Sequence, residues 1–153
     1  MEKKKALRLS IKVLMIVIVV VFVVGFYNLF VFISGIASWG SFGPKLTKDE
    51  STGDWTLTFT GNPKNGGFLG MSLSLELTIS DVNQKVIAMN STTIQIGAGS
   101  SQPVSLTMKI PAEFVPGGNL TQAKGYFEMK MDIRTLGNLM GLAQVIKVGG
   151  GGP

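Results

Sequence analysis

The sequence predicts an all-β fold, an immunoglobulin-like antiparallel β-sandwich of six or seven strands preceded by one N-terminal transmembrane helix. Three observations predict it. Val13–Ile33 is an apolar run of 21 residues without a formal charge. Between Trp55 and Arg134, four segments alternate apolar and polar residues with period two. Gly, Pro and Asn clusters of the kind that turn a chain separate those segments.

Charge and composition set the outer limits. The chain has 153 residues, 14 Lys+Arg and 9 Asp+Glu, for a net charge of +5. Five of the basic residues, Lys3, Lys4, Lys5, Arg8 and Lys12, fall within the first twelve positions against Glu2 alone. That tail carries +4, and the other 141 residues carry +1. Basic residues after position 40 are scattered among acids and not grouped with aromatics, so no nucleic-acid footprint exists. With no Cys there is no disulfide, thiolate nucleophile or Cys-ligated metal. With no His, the imidazole base, the Ser-His-Asp triad and the usual transition-metal ligand sets are excluded. The expectation is a protein that is not an enzyme and has no cofactor.

The 21 residues of Val13–Ile33 span ~32 Å as a helix, about the thickness of a hydrocarbon core. The Val and Ile content does not argue against a helix there, because lipid requires every backbone group to be paired within the segment. Tyr27 and Asn28 are the clearly polar residues inside the run, and Asn28 reads as a tolerated uncharged amide rather than a helix-association site. Trp39 lies just beyond, where an interfacial anchor is expected. Lys3, Lys4, Lys5, Arg8 and Lys12 orient the span by the positive-inside rule, tail in the cytoplasm and the rest outside the cell. A cleaved signal peptide has an apolar core of ~7–15 residues, so this run reads as an uncleaved anchor. The lipid bilayer is therefore the first expected partner. The resulting division is a tail (1–12), a transmembrane helix (13–36), a linker (37–53), a sandwich (54–148) and a flexible glycine-rich end (149–153).

In the sandwich region, Trp55, Leu57 and Phe59 alternate with threonines, and Leu73, Leu75, Leu77 and Ile79 alternate with Ser, Glu and Thr. The same holds for Val104–Ile110 and for Phe127–Arg134. Each reads as a strand with one face on a core and one in water. Lys85–Ile96 changes phase: Ile87 and Met89 are apolar at odd positions, Ile94 and Ile96 at even ones. A regular strand cannot bury both sets, so a bulge or break is expected near Asn90-Ser91. Pro116-Gly117 suits the centre of a type II turn. Thr135–Ile146 is uncharged; Leu136, Leu139, Met140 and Ala143 have helical spacing, but Gly137 and Gly141 oppose a helix. A loop followed by a last strand, Leu142–Val148, under the core is the expectation, and the apolar side of the segment admits lipid contact.

The segment FTGNPKNGGFLGMSLSLELTISD, with Asn62-Pro63 ending a Thr-rich strand before Leu73–Ile79, resembles the LEA type 2 family, also called the water-stress-and-hypersensitive-response (WHy) domain. The turn Asp81–Ala88 and the stretch Gly97–Pro103 leading into Val104–Ile110 add to the resemblance, which covers about residues 52–134. Lys64 departs from it, standing where the family often has a second Asn after the proline. The resemblance implies a β-sandwich and non-catalytic roles: protection of other proteins under stress and, in anchored members, signalling or lipid contact. A second resemblance is to archaeal type IV pilin-like subunits, which pair a long apolar helix with a compact β domain. It implies a cut after the Lys5-Ala6 step and a filament, hence self-association; Arg8 and Lys12 would then lie in the fibre core.

Remaining candidates have plainer readings. Glu128 and Asp132 on one strand would stand ~13 Å apart, beyond glycosidase spacing, and their alternation with Lys130 and Arg134 reads as a solvated sheet face. Asp81 and Asn83 read as turn formers rather than calcium ligands. Gly61–Gly70 lacks the Gly-Lys-Ser/Thr ending of a phosphate loop. Asn90-Ser91-Thr92 and Asn119-Leu120-Thr121 are N-glycosylation sequons, expected in breaks or turns of the external domain.

Overall fold

The computed structural model of the protein describes residues 2–35, 43–118 and 123–149. Helix α1 runs unbroken over Glu2–Ser34, so the basic tail is helical too. Its Lys, Ala, Leu and Arg residues are good helix formers, and the Ser10 hydroxyl donates back to the Ala6 carbonyl at 3.1 Å. The helix is long and apolar enough to cross a membrane.

Seven strands follow: β1 (Gly43–Lys48), β2 (Trp55–Gly61), β3 (Met71–Ser80), β4 (Val86–Ile96), β5 (Val104–Ile110), β6 (Tyr126–Thr135) and β7 (Met140–Gly149). They form two antiparallel sheets, ordered β1-β2-β5 and β4-β3-β6-β7. The core lies between them. Leu73, Leu75, Leu77 and Ile79 of the central β3 are buried, as are Leu57, Leu106, Met108 and Ile110 opposite. These are the apolar members of the alternating segments, and their polar neighbours turn outward, as a half-buried strand requires. The Val115–Gly118 turn matches its expected type: Gly117 has φ 65° and ψ 11°, and the Gly118 N–H donates to the Val115 carbonyl at 3.1 Å.

Three elements differ from expectation. Gly43–Lys48, placed in the linker, is strand β1, paired with β2 from Gly43↔Thr60 to Lys48↔Trp55. Its period-two signal is weak because it is an edge strand with Pro44, Lys45 and Lys48 exposed and only Leu46 packed on the core. Strand β4 is continuous through Asn90-Ser91; the irregularity lies at Ile87, the extra residue between the pairs Ser80↔Val86 and Ile79↔Ala88. Beyond it, even positions face inward, while Met89 on the other face stays 61% exposed. The phase conflict is resolved by leaving the odd apolar set in solvent. Finally, the last strand begins at Met140, not Leu142, as the second arm of a hairpin with β6 whose loop is 136–139.

This arrangement predicts a sharp contrast in stability. Leu73→Ala should cost roughly 2–5 kcal/mol by chemical denaturation, whereas Met89→Ala should stay within about 0.5 kcal/mol.

Candidate functional site

The loops β2–β3, β4–β5 and β6–β7 all fall at one end of the sandwich, and there the last ten residues of α1 dock. The first two loops are zipped together: the Asn65 N–H donates to the Ser100 carbonyl at 2.8 Å and the Gln102 N–H to the Pro63 carbonyl at 3.2 Å. Asn65 is fully buried. Its amide N–H2 donates to the Leu69 and Ile96 carbonyls (2.6 and 3.3 Å), and its Oδ1 accepts from the Gly67 N–H at 3.0 Å. One side chain thereby holds the loop curled over the sheet ends, its polar atoms paired as burial demands.

Asn28 joins the helix to this loop. It is fully buried, its Oδ1 accepting from the Leu69 N–H at 2.9 Å and its Nδ2 donating to the Leu69 carbonyl at 3.3 Å. An amide side chain thus pairs with both backbone groups of one residue much as a neighbouring strand would. The approach is close enough that a Cβ on Gly67 would overlap the Asn28 amide, and one on Gly25 would overlap the Met140 sulfur. Gly25, Asn28, Leu29 and Phe32, spaced at i, i+3, i+4 and i+7, form the buried face of the helix. Tyr27 stacks on Phe68 with ring centroids 5.6 Å apart. The β6–β7 loop meets the helix through Leu136, held at φ 54°, with Gly137 and Asn138 also left-handed. A leucine there is strained, and its packing against the core and the helix holds it in place. Asn28 is therefore a tether between helix and sandwich, where the sequence pointed to a merely tolerated amide.

Two surfaces complete the picture. On the outward face of β3, β6 and β7, Lys130 pairs with Glu76 (3.0 Å) and Glu128 (3.5 Å), Lys147 with Glu128 (2.8 Å) and Arg134 with Asp132 (2.8 Å). The hydrogen bond from Lys147 holds the Glu128 carboxyl below its ordinary value, and the bond to Glu76 holds the Lys130 ammonium above its own. This is a solvated face, with Glu128 and Asp132 engaged by different cations. Between the β1 and β7 edges lies a cavity of about 190 Å³ lined by Pro44, Leu57, Phe59, Leu77, Phe127, Met129 and Ile146, all apolar. Among the described residues, no three His, Cys, Asp or Glu side chains converge to hold a metal.

Of the residues singled out in the sequence, Lys4, Lys5, Arg8 and Lys12 are exposed on α1. The Lys3 side chain, Trp39 and Asn119 lie outside the described residues. Asn90 lies in the middle of β4, not in a break, and its Nδ2 donates to the Thr107 carbonyl of β5 at 2.6 Å. The atom that would carry a glycan thus bridges the two sheets. Asp81 does form its turn, accepting from the Asn83 and Lys85 N–H groups at 2.9 and 2.8 Å. The sequence reading did not single out Asn65, Phe68 or Gly25, whose roles depend on contacts distant along the chain.

No protein-family model and no curated protein matches the chain. The sandwich is similar to parts of solved structures at low identity. One is a glycosyl hydrolase family 2 member from Bacteroides cellulosilyticus, at TM-score 0.43 and 15% identity over 72% of this chain and 15% of that one. Another is a Bacteroides uniformis beta-glucuronidase, at TM-score 0.45 and 15% identity over 69% of this chain and 12% of that one. A third is the ApaA protein of Bordetella pertussis, at 0.42 and 11% over 70% and 88%. This chain spans about a seventh of the length of the first, and none of these likenesses carries an activity over to it.

Two outcomes test the site. Asn28→Ala leaves the part-buried Leu69 N–H without its acceptor, a loss of about 1 kcal/mol, so hydrogen exchange at Leu69 should speed up about fivefold or more. For Glu128, the depressed value stabilises the fold above the ordinary carboxylate pKa of ~4.3, and the contribution is lost as pH falls through the folded-state value. Glu128→Gln should therefore lower Tm at pH 7, and the difference from wild type should vanish in strong acid and shrink in high salt.

Proposed function

We propose that this chain is a single-span membrane protein presenting a non-enzymatic, LEA type 2-like β-sandwich outside the cell, with its basic tail in the cytoplasm, and that it works by binding or by stress protection at the cell envelope. The observation that carries this reading is the junction: the apolar helix is joined to the sandwich by part-buried hydrogen bonds and close packing, so the head is held in a fixed pose at the membrane. The five basic residues at the far end of the helix support the orientation. The described charged groups that lie close together are exposed ion pairs on a sheet face, the pattern of a solvated surface. The apolar cavity between β1 and β7 offers a contact for an apolar side chain of a protein partner.

A filament subunit is the second reading, and one observation favours it. The helix docks only through its C-terminal third, leaving the apolar residues Leu7–Val23 exposed as a rod that could pack in a fibre core.

Amino-terminal sequencing of the mature chain from membrane and sheared-filament fractions separates the two. The anchor reading expects a start at Met1 or Glu2 in membranes, with external protease removing the head from intact cells. A start at Leu7 in the filament fraction supports the subunit, and a head fully protected from protease contradicts the external placement.

A further inference from the structure

We infer that the helix-docked end of the sandwich is seated in the bilayer, with Phe68 and Leu139 entering the acyl region of the leaflet from which the helix emerges; this rests on the anchor reading. The argument starts from how far the head reaches down the helix. The β2–β3 loop descends α1 in order: the Lys64 carbonyl lies beside Gly35, Gly66 beside Val31, Gly67 beside Asn28, and Phe68 against Val23, Val24 and Tyr27. The β6–β7 loop reaches the same level, with Leu136 and Met140 against Gly25. Both tips therefore stand about 9–15 Å below Ile33 at 1.5 Å per residue.

That depth conflicts with a head held clear of the membrane. Below the tips, the uncharged helix is Val13–Val24, twelve residues, or ~18 Å, well short of the ~30 Å hydrocarbon core. Seating the loop tips in the leaflet supplies the missing depth.

The side chains at the tips suit that environment. Phe68 is 74% exposed and Leu139 82%, the two most exposed large apolar residues of the described sandwich. Loop backbone at this depth is tolerated where protein pairs it, and the peptide groups of Leu69 are paired by Asn28 and Asn65. Charge follows the same axis. The three loops at the helix end (62–70, 97–103 and 136–139) hold one charged residue, Lys64, and no acid. The connections at the opposite end hold Asp49, Glu50, Asp54, Asp81 and Glu113 against Lys85 and Lys124, a net negative end away from anionic headgroups.

The chain has no cysteine, so single-site labelling is clean. Phe68→Cys, Leu139→Cys, Val17→Cys (within the span) and Asn83→Cys (far end) would each carry an environment-sensitive fluorophore in the full chain. The chains would be reconstituted in phosphatidylcholine–phosphatidylglycerol vesicles containing doxyl-labelled acyl chains. Probes at 68, 139 and 17 should shift to the blue and be quenched about twofold or more, with the probe at 83 unchanged. If 17 is quenched while 68 and 139 behave like 83, the seating is wrong and the anchor stands. If 17 is also unquenched, the anchor reading itself fails. Blue-shifted but unquenched probes at 68 and 139 would mean that a second copy covers them, which equally overturns the seating.

Discussion

One side-chain amide pairing with the backbone N–H and carbonyl of one residue sets how this molecule is built. Asn28 stands in a helix that is uncharged and, but for the Tyr27 hydroxyl, otherwise apolar from Val13 to Ile33, and it would cost free energy if left unpaired in lipid. Its two hydrogen bonds to Leu69 resolve that cost and at the same time fix where the sandwich sits along the helix. Gly67 has no side chain, so the amide can approach, and Asn65 curls the loop that presents Leu69. Without this cluster the helix and sandwich would be joined by apolar packing and the chain connection, with no directional bond from Asn28 to set the register between them.

What could be read from the sequence followed from local physics. Leu73–Ile79 was legible because β3 has core on one side and water on the other, so alternation in sequence is alternation in space. The basic tail and apolar run were legible for the same reason: each is contiguous. Strand β1 was hidden because an edge strand with Pro44 and three lysine or threonine positions outward carries almost no period. The bulge at Ile87 was misplaced because an edge strand can leave Met89 in solvent and needs no second break. Asn28 was read as bland because its partner is 41 residues away, a distance no window along the chain can cover.

A rigid junction changes what the head can do. A sandwich on a loose stalk samples many poses, whereas one clamped to its helix presents the same edges and the same apolar cavity between β1 and β7 at one place along that helix. That geometry favours contact with partners of fixed position, whether neighbouring envelope proteins or, in the filament reading, identical copies.

The central claim is that helix and sandwich move as one body. The direct measurement is a pulsed electron-electron distance distribution between spin labels at Val17→Cys on the helix and Asn83→Cys at the far end of the sandwich, in reconstituted full-length chain. A single narrow distribution that broadens on adding Asn28→Ala is the predicted result. A broad distribution in the otherwise unmodified chain, insensitive to Asn28, would contradict it.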